Sequence, residues 1–159
     1  MRNAAVTEQL QRLRSILDRV REASNGDMDL QGHWARYVCI LVSGFVENSI
    51  KEVFSDYVKA CANDAVARYA MSQLNKLQNP KTDKVLEVTG AFKSEWKTAL
   101  DGFVSEDGRK EAIDSIMNNR NQIAHGRNVG ITLAQVDKYL GKIVSVVQFI
   151  EAQCVGGRA

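Results

Sequence analysis

Few residues in this sequence break regular structure. It has a single proline, Pro80, and eleven glycines among 159 residues. A β-sandwich or β-barrel needs a turn about every 8–12 residues, and those turns draw heavily on proline and glycine. This scarcity argues against a turn-dense β fold and predicts a chain that is mostly helical.

Cysteine and histidine are equally scarce. The three cysteines, Cys39, Cys61 and Cys154, show no CxxC spacing, and the chain has only two histidines. An odd, scattered set of cysteines predicts reduced thiols rather than a disulfide framework or a zinc site. The sequence also has no Gly-rich phosphate loop, HExxH motif or Ser-His-Asp order, which excludes the conventional kinase and hydrolase classes. We therefore expect neither a metal nor a cofactor.

The chain also has neither a long apolar run nor an excess of one charge. Charged residues interrupt every apolar stretch well before the ~18–20 residues that a membrane span requires, and the N-terminus has no signal-peptide core. With 21 basic against 19 acidic residues the net charge is +2, so any nucleic-acid surface has to be local. The sequence predicts a cytoplasmic protein with no membrane partner.

Apolar residues recur every three or four positions through most of the chain, which is the helical period. The length and this pattern predict one domain over residues 1–159, an all-α bundle of five to six helices with its core at about 30–152 and a flexible tail at about 155–159. Gly90 weakens the middle of one helix and could split it, Gly126 is placed to end another, and a capping box at Thr132 starts the last. The expected helices are 4–23, 34–61, 64–77, 84–104, 106–125 and 132–154.

One arginine lies where a helix should be apolar. On a helical wheel Arg120 falls near the middle of the stripe formed by Ile113, Ile116, Met117, Ile123 and Ala124. A guanidinium cannot shed its charge, so unless it reaches water it needs a carboxylate or a phosphate. Glu47, an acid in an apolar row of the central helix, is the carboxylate that we expect to pair with it.

A polar ridge flanks the same stripe. Asn118, Asn121 and His125 share this side of the helix, and Asn121 and His125 are four residues apart. An imidazole can transfer a proton near neutral pH, and Arg120 can offer a forked donor to a phosphate. The combination suits metal-free phosphodiester cleavage. Since attack and departure each move a proton, a two-fold dimer that doubles the set would make a more complete site.

Two other interpretations of the ridge stay open. Arg120 and Glu47 could be an interior ion pair and His125 a helix cap, which would leave a non-catalytic interaction module. The same ridge could instead bind a nucleotide. Arg127, just after the helix, is a candidate contact for an RNA backbone. His33-Trp34 at the start of the central helix could stack a base, although packing at the helix start is the simpler explanation.

Two segments carry a resemblance to a known family. The run IMNNRNQIAHGRN holds Arg120, four intervening residues and His125, and it resembles the R-x4-6-H motif of HEPN domains, in particular the RiboL-PSP-HEPN and MAE_28990-like groups. Asn121 fits the polar residue often found after the arginine. Glu47, within RYVCILVSGFVENSIKEVF, resembles the acid on the family's long helix. The resemblance spans about residues 30–152.

The resemblance implies a helical bundle that dimerises with its two motifs facing each other. In many members it also implies a metal-independent endoribonuclease that leaves a 2′,3′-cyclic phosphate. By position His125 would transfer the proton, Arg120 would bind phosphate, Asn121 would assist and Glu47 would orient the arginine. Some members are binding modules without catalysis.

One position departs from the family. Members paired with nucleotidyltransferase antitoxins carry a tyrosine two residues after the histidine, where this chain has Arg127. Tyrosine-directed regulation is therefore not transferred. The resulting hypothesis is a cytoplasmic homodimeric ribonuclease acting on RNA, as a toxin or a phage-defence effector, with an antitoxin or another defence-system protein as a candidate partner.

Overall fold

The computed structural model describes residues 1–157, which form α-helices joined by short loops and contain no strand. The all-α prediction is confirmed, but the count of five to six helices is too low, because the segment expected at 84–104 forms two. The seven helices in the described residues are α1 (Ala4–Ala23), α2 (Met28–Cys61), α3 (Asp64–Leu74), α4 (Thr82–Phe92), α5 (Ser94–Ser105), α6 (Arg109–Ala124) and α7 (Leu133–Gly156).

The central helix is α2, which packs against α1, α3, α6 and α7. It starts six residues earlier than its apolar pattern predicts, at Met28, where the Asp27 side chain accepts a hydrogen bond from Leu30 N at 2.9 Å. The first turns were missed because their residues are polar or exposed. Hydrophobic periodicity reports only the part of a helix that is buried.

The break between α4 and α5 falls at Lys93, whose backbone is extended with φ −150° and ψ 130°. It does not fall at Gly90, the residue that weakens the predicted helix. Gly90 serves close packing instead, because a Cβ built there would lie 2.9 Å from Cδ of Lys97 on α5. Phe92, the last residue of α4, stacks on Phe54 of α2 with ring centroids 4.5 Å apart, which anchors this corner to the core.

Residues in the left-handed backbone conformation flank α6 at both ends. Asp107 and Gly108 precede it with φ of 52° and 65°, and Gly126 follows it with φ 69°, which confirms the predicted glycine stop. The capping box of α7 is also confirmed, since Thr132 Oγ1 accepts from Gln135 N and Gln135 Oε1 accepts from Thr132 N. Helix α7 continues through Gly156 into the segment expected to be a tail, and residues 158–159 lie outside the described part.

A buried carboxylate ties the start of the chain to its last helix. Glu151 on α7 is only 8% exposed. Its two oxygens accept hydrogen bonds from Arg2 N at 2.7 and 2.8 Å, and Oε1 also accepts from Asn3 N at 2.6 Å. The Asn3 side chain in turn accepts from Val6 N and caps α1. The N-terminal end of α1 is thus held by both α7 and its own cap.

The buried apolar side chains form one cluster to which every helix except α3 contributes at least two residues. Cys39 of α2 lies in this cluster, and burial raises the pKa of its thiol to about 12. Its Sγ lies 3.7 Å from the carbonyl oxygen of Ile116 on α6.

Among the helices of residues 1–157, none combines the length and the apolar character that a membrane crossing requires.

Candidate functional site

The apolar stripe of α6 is covered along only part of its length. Ile113, Ile116 and Met117 are buried in the core, as predicted. Farther along the same stripe, Arg120 and Ile123 are half-buried and Ala124 is exposed. The inward face of α6 therefore opens to the surface over its last two turns.

Arg120 has no acidic partner in the described residues. Its Nη1 donates a long hydrogen bond of 3.3 Å to Oδ1 of Asn121, and no carboxylate oxygen in residues 1–157 lies within 4 Å of its guanidinium. The group thus leans toward the side of α6 that carries His125, one turn farther along. Its other N–H groups donate to no carboxylate in the described part of the chain.

Glu47, the predicted partner, is bound elsewhere. Its Oε1 forms an ion pair with Lys51 Nζ at 2.8 Å, and its Oε2 accepts a hydrogen bond from Asn79 N at 2.9 Å. The carboxylate holds the loop before α4 against α2. The predicted Glu47–Arg120 ion pair within one chain is therefore wrong.

The relative placement of α2 and α6 gives the physical reason. Cys39 lies opposite Ile116, and Arg36, earlier on α2, contacts Asn128, which follows α6, so the two helices run antiparallel. Arg120 is then level with Ala35. Glu47 lies twelve residues beyond Ala35, which is about 18 Å along the axis at 1.5 Å per residue. Two side chains cannot span that distance.

His125 lies at the surface at the C-terminal end of α6. Its backbone N–H donates to the carbonyl oxygens of Asn121 and Gln122, both at 3.2 Å, and the left-handed Gly126 then turns the chain away. The imidazole is exposed, one helical turn from Asn121. The residue is accessible from solvent without any movement of the fold.

The remaining candidates lie at the same end of α6. Asn118 is exposed two turns before His125, and Arg127 is exposed two residues after it. Within residues 1–157, the only hydrogen bond that Arg127 donates runs from its backbone N–H to the Gln122 carbonyl oxygen, at 2.9 Å. Of the six predicted site residues, the fold gathers five at this end of α6 and leaves Glu47 outside.

Sequence reasoning missed a network beside this site. Arg36 on α2 donates from Nη1 to Oδ1 of Asn128 at 3.0 Å, and its Nη2 lies 2.9 Å from Nδ1 of His33. Asn128 is three residues after His125, so the network joins the start of α2 to the loop that follows the motif. No pattern pointed to Arg36, because the contact depends on a loop conformation.

An all-α bundle with an arginine and a histidine spaced as R-x4-H at the end of one helix is the arrangement of HEPN domains. The family model of RiboL-PSP-HEPN matches residues 5–156, and the chain belongs to this family of the HEPN superfamily. No curated protein and no solved structure matches the chain.

Proposed function

We propose that the protein is a metal-independent endoribonuclease that cleaves RNA at a site formed across a homodimer, with a role as a toxin or a phage-defence effector. One observation carries the proposal. Arg120 is half-buried five residues before an exposed histidine, and no carboxylate of residues 1–157 forms an ion pair with it. A guanidinium in that setting suits a phosphate ligand.

The residues fit a transesterification. His125 takes the proton of the 2′-hydroxyl, the 2′-oxygen attacks phosphorus, and the bond from phosphorus to the 5′-oxygen breaks. The departing 5′-oxygen receives a proton, which leaves a 2′,3′-cyclic phosphate and a 5′-hydroxyl. Arg120 steadies the charge on the phosphate, Asn121 holds the guanidinium toward His125, and Asn118 and Arg127 contact neighbouring parts of the RNA.

The second proton transfer is the reason to propose a dimer. A second copy supplies a second His125 for the leaving group. The surface that favours such contact lies on α2, where Ile40 is 40% exposed and a Cβ built at Gly44 would meet no atom within 4 Å. Ile123, half-buried on α6, adds apolar area on the stripe that holds Arg120.

The test uses single-stranded RNA, excess chelator, and four proteins matched for thermal stability. We expect the wild type to leave cyclic phosphate ends. His125→Ala should lower the rate by about 10²–10⁴-fold, the usual contribution of a proton-transfer group. Arg120→Lys should also lose activity, because lysine cannot form the forked contact.

Arg14→Ala is the matched control, since Arg14 is an exposed arginine on α1. We expect it to cleave like the wild type. Equal cleavage by wild type, His125→Ala and Arg120→Lys would refute the nuclease proposal and leave a binding module.

A further inference from the structure

A cavity of about 300 Å³ lies between the end of α1 and the start of α2. It is open to solvent, and apolar and aromatic groups make up most of its wall. The lining residues are Ile16, Arg19, Val20, Ala23, Trp34 and Tyr37. None of them is acidic, so nothing in the wall repels a phosphate.

Two aromatic rings form one side of this cavity. Trp34 and Tyr37 meet edge to face, with centroids 5.8 Å apart and planes at 75°. Tyr37 is 48% exposed, which leaves much of its ring in contact with water. Exposed aromatic faces at the mouth of an apolar cavity are suited to stacking with a planar ligand.

The cavity also has an uncommitted cation at its edge. Arg19 is exposed and forms no ion pair in the described residues, whereas two other arginines of α1 do. Arg12 pairs with Glu8, and Arg21 contacts Asp137 at 2.6 Å. The guanidinium of Arg19 is therefore available to an anionic group bound beside the rings.

The cavity and the motif lie at the same level along the axis of α2. Because α2 and α6 are antiparallel with Cys39 opposite Ile116, Trp34 is level with Asn121 and Tyr37 with Asn118. Trp34 and Tyr37 line the cavity together with residues of α1, whereas Cys39 faces α6, so about the width of α2, 10–12 Å, separates the cavity from α6. Arg36 lies between the two and contacts Asn128, which gives a cationic path across the helix.

We infer that this cavity binds one base of a single-stranded RNA, near the nucleotide that is cut, with Arg19 on the adjoining phosphate. The inference rests on the proposed function and adds a substrate subsite to it. A second copy of the chain is a poorer occupant. Paired symmetrically, it would bring Arg19 of both copies to a surface with no acidic lining residue.

The test measures binding in a His125→Ala background, so that no RNA is cut. We expect Tyr37→Leu to weaken binding of a short single-stranded RNA by about 5- to 150-fold, which corresponds to one stacked base. Arg19→Ala should weaken it less and should lower its salt dependence. Tyr69→Leu, at a 69% exposed tyrosine on α3, and Arg14→Ala are the matched controls and should bind normally.

An abasic nucleotide makes the test specific. With one base removed at the stacking position, the His125→Ala parent and its Tyr37→Leu derivative should bind the RNA equally, because the same contact is missing in both complexes. In a Trp96→Phe background, the fluorescence of Trp34 should be quenched by the intact RNA and not by the abasic one. This readout requires no change at Trp34.

The outcomes separate the two proposals. Unchanged RNA binding by Tyr37→Leu would overturn the base subsite. A change in molecular mass in this variant, with RNA binding intact, would also overturn it and would assign the surface to protein contact. If Tyr37→Leu loses RNA binding and the wild-type protein does not cleave RNA, the base subsite stands and only the nuclease proposal is refuted. In an active enzyme, Tyr37→Leu should raise KM and leave kcat within about twofold.

Discussion

At the scale of single residues, the informative feature is a charge in an apolar stripe. The helical wheel singles out Arg120, and in the structure its guanidinium donates to Asn121, one turn before His125. The identity of its partner was not predictable. Which residues of α2 face which residues of α6 depends on packing around Cys39 and Ile116, and each helix alone contains no information on that alignment.

Glu47 provides a test of that correction. Glu47→Ala removes the acceptor for Asn79 N and the ion pair with Lys51. We therefore expect the free energy of unfolding, measured by urea titration, to fall by about 1–3 kcal/mol. RNA cleavage by the folded variant should stay within about threefold of wild type, because the carboxylate lies about 18 Å along α2 from the level of Arg120.

Glu52→Ala is the control for this variant, as Glu52 is exposed on the same helix. We expect its stability to change by no more than ~0.5 kcal/mol. A loss of cleavage in Glu47→Ala comparable to that in Arg120→Lys, at equal folded fraction, would show that the acid serves the site after all.

At the scale of the secondary-structure elements, helix ends with a local chemical signal were predictable. The glycine after α6 and the capping box of α7 are interactions between near neighbours, so the sequence contains everything they need. The position of the break between α4 and α5, at Lys93, was not predictable. It accompanies the stacking of Phe92 on Phe54 and the close approach of Lys97 to Gly90. Those contacts join separate elements.

Replacing Gly108 or Gly141 by alanine should change the free energy of unfolding in opposite directions. Gly108 precedes α6 with φ 65°, a conformation that costs a side chain about 1–2 kcal/mol, and the new Cβ would also have to displace Lys142 Nζ. Gly141 lies inside α7 with open space around it. We expect Gly108→Ala to destabilise the fold by about that amount and Gly141→Ala to stabilise it by about 0.5–1 kcal/mol.

Urea denaturation of both variants measures the difference directly. It needs no knowledge of function. Stabilisation by Gly108→Ala would mean that the left-handed turn before α6 is not what sets the start of that helix.

At the scale of the whole molecule, the fold class followed from composition and periodicity, whereas the surface that we propose for self-association did not. Ile40 belongs to the same apolar run as the core residues of α2, and its exposure becomes visible only once the neighbours of α2 are in place. Ile40 is the residue of the central helix on which the proposed dimer contact rests.

Ile40→Glu tests the dimer. A charge at this position should be harmless in a monomer and costly in an apolar contact, so we expect light scattering to show half the wild-type mass and cleavage to fall with it. Val66→Glu, at a 53% exposed valine on α3, is the control and should change neither. A monomeric wild type with full activity would contradict the proposal.

The Glu151 clamp has a consequence for synthesis on the ribosome. The amide of Asn3 and the carboxylate that accepts its hydrogen are 148 positions apart in the chain. At ~5–20 residues per second, translation needs roughly 7–30 s to pass from one to the other. Helix α1 can pack on α2 as soon as α2 has been made, but the clamp on its N-terminal end forms only after Glu151 has been added.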